Sequence, residues 1–440
     1  MARSLREMHD CCMLLLTVAS LVSCVRVKSD HDVDRYDSES EFELAWTEYL
    51  RSLPPLEDFM SNSNGAVGSP RLEGPQDATH LAILLHGFTG CPGTWDWIVP
   101  DLVAQNFRVM RPVLPGHGRK WLLEATDVEV IHDDNQLDNV TAPVKDNLTD
   151  MPEDVAPYFE FVQVLGHMSH IFKAERHASM VIVVGHSLGG LLAMHLAITF
   201  PHVVDRVLLF NPYFGPSYNA VRALRPVSGQ VISWDLLAGP GYCENKRMSN
   251  SGGYCQFKLR HALAVVDTST QMFCSQWSLS RCYIDGRLGP TMGVYALLLG
   301  SLTFANPLAL LAAAAFGYSA GQAVPFDIVS AKSTARAVHR LPSIQIVATD
   351  GDPAVDNSRI MSFMTSMQTI RNSKRNDTGL CWLPAETGHN YFNQRDDSSR
   401  RYWWEDALKQ GVLNYMVNGK TLESVSRSGG VRCIDETEWW

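Results

Sequence analysis

Met180-Val181-Ile182-Val183-Val184-Gly185-His186-Ser187-Leu188-Gly189-Gly190-Leu191-Leu192-Ala193-Met194 is the stretch on which the reading of this chain turns. Val181 to Val184 is apolar throughout, as a strand buried on both faces must be. From Leu188 onward the residues suit the opening of a helix. Between the two lies Gly-x-Ser-x-Gly. A sharp strand-to-helix turn there holds Ser187 in a strained backbone with its hydroxyl exposed at the carboxyl edge of the sheet. Side chains at 185 and 189 would strike neighbouring backbone in such a turn. The helix N-terminus also directs amide donors at any negative charge that develops beside the serine. The bland alternative is an ordinary helix start flanked by glycines.

Outward from this turn the pattern repeats. Leu81–Leu85, Phe107–Val113, Arg206–Phe210, Ile344–Ala348 and Leu380–Leu383 are further short strand candidates. Glu153–Glu175 and Leu188–Phe200 are helical stretches between them. Apolar strands separated by helices predict an α/β fold, a doubly wound, mostly parallel sheet covered on both faces. Ser38–Leu50 predicts an N-terminal helix, with Ser38 and Glu41 placed as a capping box and Phe42, Ala45, Trp46 and Tyr49 on one face. Asn62–Pro75 reads as a linker. The stretch from Asn211 to Pro342 is too long for a connection and reads as a domain-sized insertion. The expected organisation is therefore a signal segment at 1–24, an N-terminal extension and linker at 25–75, and core at 76–211. An inserted cap follows at 212–342, core again at 343–420, and a C-terminal tail at 421–440.

The chain has 440 residues and a formal charge of −10, from 37 basic and 47 acidic side chains. That balance argues against nucleic acid as a partner, which calls for clustered Lys and Arg. Arg3 and Arg6 precede an apolar run from Cys11 to Val22, too short to span roughly 30 Å of hydrocarbon. It reads as a secretory signal. Leu21-Val22-Ser23-Cys24 resembles a bacterial lipoprotein box, so the expected location is periplasmic or outer-membrane as a lipoprotein on Cys24, or secreted after ordinary cleavage. Seven cysteines follow Cys24, four of them in short polar loops. Disulfides Cys243–Cys255 and Cys274–Cys282 are the favoured pairings, out of three connectivities. An odd count leaves at least one thiol free or joined elsewhere.

Five pieces together resemble the α/β-hydrolase family, especially its carboxylesterase and monoacylglycerol-lipase-like branch. They are Leu84-Leu85-His86-Gly87-Phe88-Thr89-Gly90, Leu114-Pro115-Gly116-His117-Gly118, Gly185-His186-Ser187-Leu188-Gly189-Gly190, Asp352-Pro353-Ala354-Val355 and Gly388-His389-Asn390. The resemblance implies Ser187 as nucleophile and His389 as its base. It implies Asp352 as the carboxylate that orients the imidazole, with Asp350 and Asp356 as alternatives, because turns attract Asp for local reasons. The order Ser, Asp, His is the one this fold uses. It also implies an oxyanion hole from the amides of Phe88 and Leu188, and needs no cofactor.

The expected reaction is hydrolysis of a small-molecule or lipid ester through an acyl-enzyme. Thioester, lactone or amide hydrolysis, acyl transfer, and a non-enzymatic binder on the same fold are the rivals. Trp95 and Trp97 line an acyl channel or belong to the core. His167 and His170, three apart on a helix, lack a third ligand, so no metal is expected. Thr291–Thr303 and Leu308–Phe316 read as two apolar helices of the cap. They form either its own core or a lid that meets an acyl chain or a membrane surface.

Overall fold

Each apolar run becomes a strand because its alternate side chains can be buried in two different layers. The computed structural model describes residues 40–55, 59, 68–118, 151–176, 180–215, 228–234, 256–277, 341–371, 378–389, 405–422 and 431–434. The principal strands are β2 (His80–Leu85), β3 (Phe107–Arg111), β4 (Met180–His186), β5 (Arg206–Phe210), β8 (Ser343–Thr349) and β9 (Thr378–Leu383). Two short ones, β1 (Arg71–Glu73) and β10 (Arg432–Ile434), lie at the edges. The order is β1-β3-β2-β4-β5-β8-β9-β10, parallel except for the antiparallel edge pairs β1–β3 and β9–β10.

Side chains divide between the faces with a period of two. Leu81, Ile83 and Leu85 of β2 enter one core layer with Val181 and Val183 of β4, whereas Ala82, Leu84, Ile182 and Val184 enter the other. The first layer is covered by α1 (Glu41–Ser52), α3 (Ala156–Glu175), α4 (Leu188–Thr199) and α6 (Asn357–Arg371). The second is covered by α2 (Val99–Ala104) and α7 (Glu405–Asn418). In α4 every residue from Leu188 to Ile198 is buried. That explains a sequence without a polar face: a helix hydrophobic all round belongs inside.

Two elements fall in stretches that showed no strand pattern. Residues read as linker contain β1, and residues read as C-terminal tail contain β10. Both are three residues long, too short to display alternation, and both are held by particular partners. Arg111, 1% exposed, pairs with Glu73 of β1 at 2.6 Å and with Asp96. Cys433 of β10 stands opposite Cys381 of β9 and is disulfide-bonded to it. The N-terminal extension is also more than a leader to the core. α1 buries Phe42, Trp46 and Tyr49, the Tyr49 hydroxyl donates to the carbonyl of Val113 at 3.1 Å, and Glu43 pairs with Arg108 of β3 at 2.8 Å. Ser38, of the expected capping box, lies outside the described residues.

From the insertion the structure describes β6 (Val231–Ser233), β7 (Gln256–Lys258) and α5 (Leu259–Trp277), the two strands forming an antiparallel pair. Ala264, Val265 and Met272 of α5 join the first core layer. The expected disulfides among 243, 255, 274 and 282 and the two apolar cap helices fall outside the described side chains. Among the described residues no helix is long and apolar enough to cross a membrane.

Candidate active site

Parallel registry delivers the site. Leu85 pairs with Gly185, His186 with Phe210, Phe210 with Val347, and Thr349 with Leu383. The segments that follow β2, β4, β5, β8 and β9 therefore all leave the sheet at one edge, where open α/β sheets place their ligands.

Ser187 stands between β4 and α4 with φ 52 and ψ −117, a positive φ rarely adopted by a residue with a side chain. Such strain persists only where the surroundings impose it. Here the Ser187 N–H donates to the carbonyl of Phe210 at 2.9 Å, and the Ser187 carbonyl accepts from Tyr213 at 3.0 Å. The flanking glycines have no alternative. A Cβ on Gly185 would lie 2.2 Å from the Gly189 carbonyl oxygen, and one on Gly189 would lie 2.3 Å from that of Leu85. The serine is 7% exposed.

His389 and Asp352 meet in the turns after β9 and β8. Nδ1 of His389 is 2.7 Å from Oδ2 of Asp352, and both side chains are buried. A carboxylate can only accept, so Nδ1 donates and the lone pair of Nε2 is left available. The other carboxylate oxygen accepts from the amides of Ala354 at 2.8 Å and Val355 at 3.3 Å, which fixes the group from its own turn. Asp356 is engaged otherwise, accepting from Ser358 and pairing with Arg359 at the start of α6, and Asp350 is exposed. The imidazole of His389 and the hydroxyl of Ser187 share no hydrogen bond. His186, the residue before the serine, reaches the base instead: its Nε2 lies 3.0 Å from the carbonyl oxygen of His389, and the two rings are 5.0 Å apart.

Asn211 was not singled out in the sequence. It follows β5 with φ 42, fully buried. Its amide donates to the His389 carbonyl at 3.0 Å, while its oxygen accepts from the Thr349 amide at 2.7 Å. Thr349 Oγ1 in turn donates to the Gly388 carbonyl at 2.8 Å. The available signal was a polar residue directly after a buried apolar strand, of a type that tolerates positive φ.

The loop after β2 runs hard against the serine. A Cβ on Gly87 would lie 3.2 Å from that of Ser187 and 3.0 Å from Nδ1 of His186. Phe88 is thus next to Ser187 through its neighbour, and Leu188 opens α4, where an N–H has no carbonyl one turn earlier. His86 pins the loop: Nδ1 lies 2.9 Å from the Gly87 carbonyl oxygen, and Nε2 accepts from the Leu114 amide at 3.0 Å. This joins the His86–Gly90 segment to Leu114–Gly118. Trp95 and Trp97 pack beside Phe210 in the second core layer, so of the two sequence readings they take that of core. His167 and His170 are both exposed on α3. Among the described residues no group of three His, Cys, Asp or Glu could hold a metal ion.

The model of the Alpha/beta hydrolase family matches residues 82–395. Uncharacterized proteins of Mycobacterium bovis (strain ATCC BAA-935 / AF2122/97) and Mycobacterium tuberculosis (strain ATCC 25618 / H37Rv) are each 28% identical over 176 residues. The match covers 38% of this chain and 39% of theirs, so the chain spans less than half the length of these curated relatives. Among solved structures, a soluble variant of monoglyceride lipase from Saccharomyces cerevisiae, in complex with a substrate analog, is similar at TM-score 0.47 and 10% identity. That likeness covers 90% of this chain and 100% of that one. Monoacylglycerol lipase of Paleococcus ferrophilus is similar at TM-score 0.44 and 12% identity, over 80% and 98%.

Proposed function

This chain belongs to the Alpha/beta hydrolase family, and from that premise we propose that it is a serine hydrolase cleaving carboxylic esters of the carboxylesterase or monoacylglycerol-lipase kind. The observation that carries the reading is Ser187 on its strained turn beside the buried His389–Asp352 pair. Nε2 of His389 takes the hydroxyl proton as Ser187 Oγ attacks the ester carbonyl carbon. Asp352 keeps the imidazole in the required tautomer and stabilises the imidazolium. The amides of Phe88 and Leu188 receive the oxyanion. Collapse expels the alcohol, which takes the proton from His389, and leaves an acyl-Ser187 ester. Water activated by the same histidine then attacks, releasing the acid and the free serine. The substrate is a small-molecule or lipid ester.

The test is pre-steady-state hydrolysis of a chromogenic short-chain ester. Wild-type protein should give a burst of alcohol of about one per active site. Ser187→Ala should lose the burst and all but a residual rate. Equal rates from the two proteins would sink the assignment.

The location belongs to the same proposal. The Cys381–Cys433 disulfide supports an oxidising compartment, as expected of an exported chain. In a lipoprotein-processing host, palmitate should label the protein and Cys24→Ser should abolish the label. Unlabelled, secreted protein would reject the anchor and leave export by ordinary cleavage.

A further inference from the structure

The loop carrying Phe88 is held from the far side by the inserted segment. Gly90 N–H donates to the Gly87 carbonyl at 3.0 Å, closing a turn whose third residue is Thr89, with φ 60. Turns with positive φ at that position ordinarily use Gly or Asn. A β-branched residue there is held by its contacts rather than by its preference. Thr89 is fully buried, and its Oγ1 accepts from the indole N–H of Trp234 at 2.7 Å, across 145 residues of chain. The Phe88 ring is gripped as well. It meets Phe257 edge-on at 5.0 Å, Trp234 at 6.1 Å and His117 at 5.7 Å, while Trp234 and Phe257 are 5.2 Å apart. Both side chains that follow Gly87 are therefore seated on residues at the β6–β7 pair.

We infer that Trp234 is a positioning residue: by hydrogen-bonding Thr89 and abutting Phe88, it orients the Phe88 amide towards the reacting carbonyl oxygen, and the insertion is thereby part of the catalytic apparatus. This rests on the serine-hydrolase reading above. Reversion of Thr89 to negative φ would rotate the peptide planes of the turn, and an oxyanion donor works only when aimed at the oxygen before charge develops. Trp234→Phe removes the indole N–H and keeps an aromatic ring.

The experiment compares wild type, Trp234→Phe, Thr89→Val, Thr89→Ser and the Trp234→Phe/Thr89→Val double variant on the same chromogenic ester, with active sites titrated by a fluorophosphonate. Trp234→Phe and Thr89→Val should each lower kcat by about tenfold or more, with KM within about twofold, since a lost oxyanion donor costs on the order of 10²–10³. Affinity for a trifluoromethyl ketone, whose adduct on Ser187 carries the same oxyanion, should fall by the same factor as kcat/KM. The double variant should be no slower than the worse single one, because both remove one hydrogen bond. Thr89→Ser keeps the acceptor and should recover most of what Thr89→Val loses. Wild-type kcat per titrated site in Trp234→Phe, or fully multiplicative losses in the double variant, would overturn the inference. If Trp234→Phe fails to fold, the contrast between Thr89→Val and Thr89→Ser decides alone, equal kcat values counting against it. Ser187→Ala separates the two levels. A dead Ser187→Ala with an unaffected Trp234→Phe removes this inference only, whereas an active Ser187→Ala removes the serine-hydrolase reading and this one together.

Discussion

Asn211 donates to the backbone of His389 and accepts from the backbone of Thr349, so one buried side chain joins the ends of β5 and β8 to the turn after β9. Asn211→Leu would fill similar volume while leaving the Thr349 amide unsatisfied. Such an orphan costs about 1–3 kcal/mol. The His389 carbonyl would retain His186 and lose its other partner. We expect a loss of about 2 kcal/mol in urea denaturation and a fall in kcat of about tenfold or more with KM little changed, because displacing a base by a fraction of an ångström is expensive. A variant with wild-type kcat would show that Asn211 supports the fold and not the site. Asp352 shows the same economy. One oxygen closes its own turn and the other orients the imidazole.

At the scale of elements, the informative contrast is between α4 and β10. α4 is buried on every side and fixed by the sheet, whereas β10 has three residues and, among the described strands, one neighbour. Its anchor is the Cys381–Cys433 bridge, which spans 52 residues. A loop of that length predicts about 4 kcal/mol of stabilisation through the unfolded chain. Cys433→Ser should therefore lower the thermal midpoint by several degrees, and reductant should lower the wild type by at least as much, since it also opens any bridge among Cys243, Cys255, Cys274 and Cys282. An unchanged midpoint in both experiments would mean that β10 contributes nothing to global stability. β9 leads directly into the turn of His389, so the bridged edge also backs the strand on which the base depends.

For the molecule as a whole, two buried histidines oppose folding in acid. Burial pushes His195 on α4 down to about 4, and burial, aided by Arg260, Lys258 and His117, pushes His261 on α5 down to about 3. In the unfolded chain both titrate near their ordinary value, about 6.5. Below that pH the unfolded state binds protons that the native state refuses, so stability falls as pH falls. The loss continues until the folded values are reached. Between pH 7 and pH 5, His195 alone should cost about 2 kcal/mol. His195→Met, which cannot be protonated, should narrow the difference between urea midpoints at those two pH values. An identical difference in wild type and variant would place the acid sensitivity elsewhere.

What the chain reveals by itself is whatever contiguous residues encode. The apolar runs become strands, Leu188–Ile198 becomes a buried helix, and Gly-x-Ser-x-Gly becomes a turn that backbone crowding permits only with glycine. Each of these is a short-range consequence of periodicity or of sterics. The tertiary structure decided the rest. Three aspartates stood within seven residues as possible turn formers; the family resemblance pointed to Asp352, and the meeting of β8 and β9 is what puts it against His389. The His186 contact with His389 spans 203 residues, Asn211 reaches the same carbonyl across 178, and Trp234 reaches Thr89 across 145. β1 and β10 were invisible because three residues carry no period, and they exist through Arg111 and through a disulfide to β9. Such contacts depend on which distant segments the sheet order places side by side, and no local pattern in the chain records that order.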